Sequence, residues 1–250
     1  MSPAEVFALT GAGVLAGVAS TVASLASVVS YPVLLAFGLS PVSANVTNTV
    51  ALAFTGVGAA AGSRQELAGQ GARVRQLGVL TAAGGAAGAA LLLLSPARAF
   101  QLVAPCLIGA ASLLLIVQPM ITGLTARPGG ERNPMLRAAL FAVAGYVGYF
   151  GAAGGILALT VLTAMLDMPL ARINALKNVV SGLANASASV VFAVFGPVRW
   201  AIAAPLAAGF LLGGWIGPAL VRQLPARALR VFIGTCGLAL AVTLGVRTYR

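Results

Sequence analysis

Long apolar stretches, separated by charges and by proline or glycine, dominate the chain. They cover residues 5–38, 41–62, 74–95, 99–122, 135–166, 169–195, 199–221 and 226–247. A helix needs about 20 apolar residues to cross a hydrocarbon core of roughly 30 Å, and most of these stretches have that length. The pattern therefore predicts an all-α polytopic membrane protein.

Two stretches, the first and the fifth, are longer than one crossing requires and carry small residues near their middles. Residues 17–24 read Gly-Val-Ala-Ser-Thr-Val-Ala-Ser, and residues 148–155 read Gly-Tyr-Phe-Gly-Ala-Ala-Gly-Gly. Such segments interrupt a helix readily, because glycine and hydroxyl residues tolerate non-helical backbone. We predict that each stretch is a broken helix or a re-entrant hairpin.

The order of the stretches indicates an internal duplication. The two long stretches begin about 130 residues apart, and each is followed by three ordinary ones. At that offset Asn48 falls on Asn178 and Val50 falls on Val180. We therefore predict two four-element repeats, residues 1–125 and 126–250, within one integral membrane domain.

The distribution of arginines between the two sides of the membrane distinguishes two topologies. If the long stretches are hairpins that enter and leave on one face, the second repeat is inverted, and four arginines share one face: Arg98, Arg199, Arg247 and Arg250. The other ten share the opposite face, which the positive-inside rule makes cytoplasmic, with both termini outside. A conventional eight-span arrangement with both termini inside is the alternative, and its charge split is less uneven.

Composition agrees with a lipid-exposed chain and excludes several functions. Charged residues make up 8% of the 250 residues, with 15 bases and 4 acids, whereas soluble domains carry about 25%. The net charge of +11 does not predict nucleic-acid binding, because the arginines stand singly between apolar stretches. Histidine is absent and the two cysteines are isolated, so we expect no metal and no cofactor.

The most informative charge is Lys177, the only lysine, which lies about two turns into the stretch 169–195. A cation at that depth normally faces protein, water or a bound anion. Helical spacing places Asn174, Asn178, Ser181 and Asn185 on the same face. This polar stripe predicts an anion site; the alternative is a lysine that reaches the membrane interface, with asparagines that join helices.

The corresponding part of the first half is rich in amide and hydroxyl groups. Asn45, Thr47 and Asn48 can donate hydrogen bonds to an oxyanion, and Thr47 takes the place of Lys177. Capping of the helix after Pro41 by Ser43 and Asn45 is the alternative.

The two predicted breaks supply further candidate ligands. Ser20 and Ser24 in the first break can line the same cavity, and Gly151 and Gly154 in the second can expose backbone N–H groups to an anion. Close packing of helices also favours glycine at these positions, so the glycines alone do not indicate an anion site.

Taken together, these segments resemble the TauE/SafE sulfite exporter family of bacterial membrane transporters. The resemblance rests on the small-residue segment that ends in Pro32, the Leu-Ser-Pro turn at residues 39–41, Gly145–Gly155, residues 174–185 and Gly213–Gly217. It implies a multi-pass protein of the bacterial cytoplasmic (inner) membrane that exports sulfite, a sulfonate or a related small organic anion. Alanine and serine at residues 19, 20, 23 and 24 depart from the glycine-rich family pattern.

We therefore expect a transporter with a polar pocket between two repeats, a small anion as substrate and the lipid bilayer as partner. A membrane-embedded enzyme would need paired acids, histidine or metal ligands, which this chain lacks within its apolar stretches. The remaining alternative is a structural or assembly subunit without transport activity. The sequence leaves homo-oligomerisation open.

Overall fold

In the computed structural model, the described residues are 1–23, 26–122, 130–151 and 154–221, with Thr235, 238–239, 241–243 and 245–246 near the C-terminus. The predicted stretch 226–247 therefore lies largely outside the described residues. The helices are α1 (Pro3–Ala23), α2 (Ala26–Ala36), α3 (Pro41–Gly62), α4 (Arg64–Leu67), α5 (Gly71–Leu94), α6 (Ala97–Thr122), α7 (Pro134–Tyr149), α8 (Gly154–Met165), α9 (Leu170–Phe195) and α10 (Trp200–Val221).

The predicted all-α membrane architecture is confirmed for the part of the chain that the structure describes. By length and composition, four helices there are suited to cross a membrane, at residues 3–21, 71–94, 170–195 and 200–220. Large apolar side chains such as Phe7, Leu94 and Phe195 are exposed, each by more than three quarters of its surface. Such exposure fits a surface solvated by lipid.

Three helices, α1, α3 and α10, run in the same direction. Along α1 and α10, Gly13 lies against Gly209 and Gly17 against Gly213. Thr47 near the start of α3 accepts a hydrogen bond from the N–H of Arg199, and Gly62 at the end of α3 lies against Pro218. The starts of these three helices therefore share one face of the bundle.

A second group, α5, α7 and α9, runs the opposite way. Thr81 of α5 donates a hydrogen bond to the carbonyl of Val180 on α9 over 2.9 Å, and Gly85 lies against Ala184. The groups meet where α3 crosses α9: Gly56 lies against Gly182, and Ser189 of α9 bonds the carbonyl of Thr49. These pairs show that α3 and α9 are antiparallel.

Both long stretches are re-entrant hairpins. Helices α1 and α3 start on the same face, so the chain between them, which includes α2, must enter and return there. Helices α7 and α9 start together on the opposite face, and α8 closes that hairpin. In the second hairpin, α7 ends at Tyr149 and Gly151 takes a φ of +78°, a conformation that glycine adopts without strain. The predicted break of the second stretch is thus confirmed. In the first stretch α1 is helical through Ala23, past most of the predicted break at residues 17–24, and residues 24–25 lie outside the described residues.

Contacts between loops decide between the two topologies. Arg172, before α9, donates a hydrogen bond to the carbonyl of Ala68, and Arg73 forms an ion pair with Glu131. Ser43, at the start of α3, bonds the carbonyl of Pro197. The conventional eight-span arrangement would put Arg172 opposite Ala68 and Pro197 opposite Ser43, so that alternative is wrong. The duplication itself is not tested by these contacts and stays a prediction.

Site-directed labelling checks this topology. In a background without Cys106 and Cys236, a single cysteine at Gln65 and another at Arg132 should both react with a membrane-impermeant thiol reagent from the cytoplasmic side, because most arginines lie on that face. A cysteine at Arg98, beyond the far end of α5, should react from the other side. All three side chains are exposed. A cysteine at Asp167, which is also exposed, distinguishes the two topologies, because the hairpins place it on the side of Gln65 whereas eight full spans place it on the side of Arg98. Labelling of residue 167 from the side of Arg98 would contradict the hairpin topology.

Candidate functional site

A cavity of about 40 Å³ lies between the two hairpins and the α3–α9 crossing. Both hairpins contribute to its wall, with Ser20 and Ala26 from the first and Gly151 and Gly155 from the second. One water needs roughly 10–15 Å³ of such volume, so the cavity has room for a few waters or a small ion.

Lys177 supplies the only charged side chain among the described residues that line the cavity. Lys177 is 2% exposed. Helix α9 begins at Leu170 on the face of the arginine-rich loops, and Lys177 lies in its third turn, inside the protein. A charge at such depth is costly unless the surroundings stabilise it. The site is therefore suited to hold an anion beside a fixed cation.

Of the sequence-predicted residues, the structure brings Asn178, Ser20 and Gly151 to the same cavity as Lys177. Asn178 follows Lys177 directly on α9 and is 8% exposed. Ser20 stands near the end of α1, and Gly151 lies in the break between α7 and α8. These residues offer amide, hydroxyl and backbone groups around one small volume.

Two predicted ligands, Asn45 and Asn174, instead bind the ends of the broken helices. Asn45 of α3 donates to the carbonyl of Tyr149 over 2.9 Å, at the end of α7. Asn174 of α9 donates to the carbonyl of Thr21 over 3.4 Å, near the end of α1. The last carbonyls of a helix lack partners within it, so each asparagine caps the broken helix of the other half.

The caps also show how far each hairpin reaches. Asn45 and Asn174 lie near the starts of α3 and α9, which are on opposite faces of the bundle. Each hairpin therefore extends most of the way across the bundle, and Ser20 of the first and Gly151 of the second line the cavity between them.

The remaining predicted residues do not line the cavity. Thr47 accepts the Arg199 N–H over 3.1 Å, and Asn48 bonds Ser30 and Ser27 of α2 over 2.5 and 3.2 Å. Gly154 begins α8 and lies against Val147. Ser24 falls outside the described residues. The N-cap of α3 is Ser40, so the interpretation of Ser43 and Asn45 as caps of that helix is wrong.

Three further polar residues line the cavity: Thr55, Ser181 and Asn185. Ser181 and Asn185 belong to the polar stripe seen in the sequence, whereas Thr55 was missed. Its signal was weak but present, since Thr55 follows Asn48 by seven residues and so falls near the same face of α3.

Comparison with known proteins agrees with this architecture. The family described as Sulfite exporter TauE/SafE matches residues 9–244 of the 250. No curated protein and no solved structure matches the chain. Because the match covers both hairpins and the helices that follow them, the chain belongs to the TauE/SafE sulfite exporter family.

Proposed function

We propose that this protein exports sulfite or a closely related small oxyanion through the cavity between the two hairpins. One observation carries the proposal: Lys177, the only lysine of the chain, is buried on the cavity wall, and no acidic residue is among the described residues that line it. The family match supports transport of an anion.

The groups around Lys177 suit an oxyanion. Asn178, Ser181 and Ser20 carry side chains that donate hydrogen bonds. Gly155, in the first turn of α8, also lines the cavity, and the start of a helix bears a partial positive charge. A cation surrounded by neutral donors binds a small anion and repels cations.

We further propose that residues 1–125 and 126–250 are inverted repeats and that the protein lies in the bacterial cytoplasmic membrane. The packing supports the repeat, because α5 of the first half lies between α7 and α9, while α10 of the second half lies between α1 and α3. The reciprocal caps from Asn45 and Asn174 support it as well. Rocking of the group α1, α3 and α10 against the group α5, α7 and α9 would then expose the cavity alternately to each side.

Flux measurements in proteoliposomes test this function. We expect saturable sulfite transport with counterflow, driven by voltage, because no carboxylate is among the described residues that line the cavity and the chain has no histidine to relay protons. A potential of 100 mV is worth about 2.3 kcal/mol per charge, so a monoanion should equilibrate at roughly a fifty-fold gradient.

The pH gradient and an empty-vesicle control complete that experiment. At fixed voltage and fixed external anion, a pH gradient should leave the equilibrium gradient of the transported monoanion unchanged. Vesicles without protein set the background leak. Absence of protein-dependent flux for sulfite and for simple sulfonates would contradict the proposed function.

A further inference from the structure

Two buried side chains on the cavity wall carry oxygens without a hydrogen-bond partner. Thr55 is 5% exposed and Asn185 is 6% exposed. Within the described residues, neither Thr55 Oγ1 nor Asn185 Oδ1 has a partner. Native proteins pair nearly all buried polar atoms, so two such oxygens in one cavity indicate that something else completes their hydrogen bonds.

The α3–α9 crossing places this pair on the side away from Lys177. Gly56 and Gly182 are in contact at the crossing, Thr55 precedes Gly56, and Asn185 follows Gly182 by about one turn. Because the helices are antiparallel, Thr55 and Asn185 both lie on the side of the crossing that faces the start of α3. Lys177 lies on the other side, about 12 Å from Asn185 along the helix axis.

The chemistry of the pair restricts what it binds. The Thr55 hydroxyl both donates and accepts hydrogen bonds, whereas the Asn185 Oδ1 only accepts. An anion that offers acceptors alone would satisfy Thr55 and leave Asn185 unpaired. An anion that also carries a hydroxyl group would satisfy both oxygens.

We propose that Thr55 and Asn185 form a second polar subsite that selects small oxyanions carrying a hydroxyl group, such as hydrogen sulfite. This inference rests on the proposed function, since Lys177 supplies the charge that brings the anion into the cavity. The subsite lies farther along the same path, toward the face where α3 starts. It determines specificity, whereas Lys177 determines that an anion binds at all.

A pair of anions with matched shape and charge tests the subsite. Hydrogen sulfite and chlorate are both pyramidal monoanions with three oxygens, but only hydrogen sulfite carries a hydroxyl. At a mildly acidic pH at which sulfite is singly protonated, the wild-type protein should favour hydrogen sulfite by about five- to ten-fold in kcat/KM, the value of one hydrogen bond. Asn185→Leu should bring the ratio of the kcat/KM values for hydrogen sulfite and chlorate close to one, mainly by slowing the transport of hydrogen sulfite.

Three other variants complete the experiment. Thr55→Val should slow the transport of both anions. Thr55→Ser should transport both near the wild-type rate, because serine keeps the hydroxyl. Thr49→Val is the matched control on the same helix: Thr49 is equally buried, but its hydroxyl donates to the carbonyl of Asn45 over 2.9 Å and does not line the cavity. We expect it to leave the ratio unchanged.

The outcomes separate this inference from the proposed function. If the wild-type protein transports both anions and Asn185→Leu keeps the wild-type ratio, the second subsite is wrong while the proposed function stands. If Asn185→Leu does not fold, Asn185→Ala tests the same position without added bulk, and an unchanged ratio there is equally decisive. If the wild-type protein transports neither anion, the proposed function itself fails.

Discussion

Replacing Lys177 with methionine is expected to abolish most transport while the protein still folds and inserts. A hydrogen bond to a charged group contributes about 1.5–3 kcal/mol, so its loss should weaken anion binding by roughly ten- to a hundred-fold. Methionine has nearly the length of the lysine stem and removes the cost of a buried charge, which is why stability should hold. Anion-dependent thermal stabilisation and flux in proteoliposomes measure the two effects.

Two variants control for this result. Arg172→Met removes a cation from the same helix, but Arg172 lies at the bundle face and bonds the carbonyl of Ala68, so affinity should stay near wild type. Lys177→Arg keeps the charge in a bulkier, planar group, and we expect partial activity with a changed order of anion preference. A Lys177→Met protein with wild-type rate and affinity would show that the lysine plays no part in binding.

A second large effect is expected from Gly88→Val on α5. A Cβ atom at Gly88 would collide with the carbonyl oxygen of Gly145 and would lie 2.9 Å from the backbone nitrogen of Tyr149. Backbone atoms cannot move aside as a flexible side chain can, so α5 and α7 would have to separate. We expect a loss of about 3 kcal/mol of stability, seen as little monodisperse protein after extraction in detergent.

Gly11→Val provides the matched control for that substitution. Gly11 is also a helical glycine, on α1, but an added Cβ there meets no atom within 4 Å. Its stability should stay within about 0.5 kcal/mol of wild type. If Gly88→Val were as stable as Gly11→Val, the close contact between α5 and α7 would not exist in the folded protein.

The sequence predicted the break after α7 and the cation of the candidate site because both leave local signals. A cluster of small residues in an overlong apolar stretch identifies Gly148–Gly155, and a single lysine inside an apolar stretch identifies Lys177. The stripe that includes Asn178 and Asn185 follows from helical spacing alone. Each of these inferences needs only residues that are near one another in the chain.

The roles of the asparagines could not be predicted in this way. Asn45 and Asn48 are three residues apart, and either is a reasonable anion ligand by chemistry. Their partners, the carbonyl of Tyr149 in the other half and the serines of α2 in the same half, are known only once the helices are packed together. Thr55 was missed for the same reason, since a lone threonine in an apolar helix commonly bonds its own backbone.

The interlocked packing has a consequence for how the protein is made. Helix α10 lies between α1 and α3, and it is the last helix of this group to be synthesised. Until α9 is made, the carbonyl of Thr21 lacks its bond from Asn174, and until α10 is made, the surfaces of α1 and α3 that contact α10 have no partner. The first half therefore cannot reach its final packing during its own insertion, and both halves must complete their folding together after translation of α10.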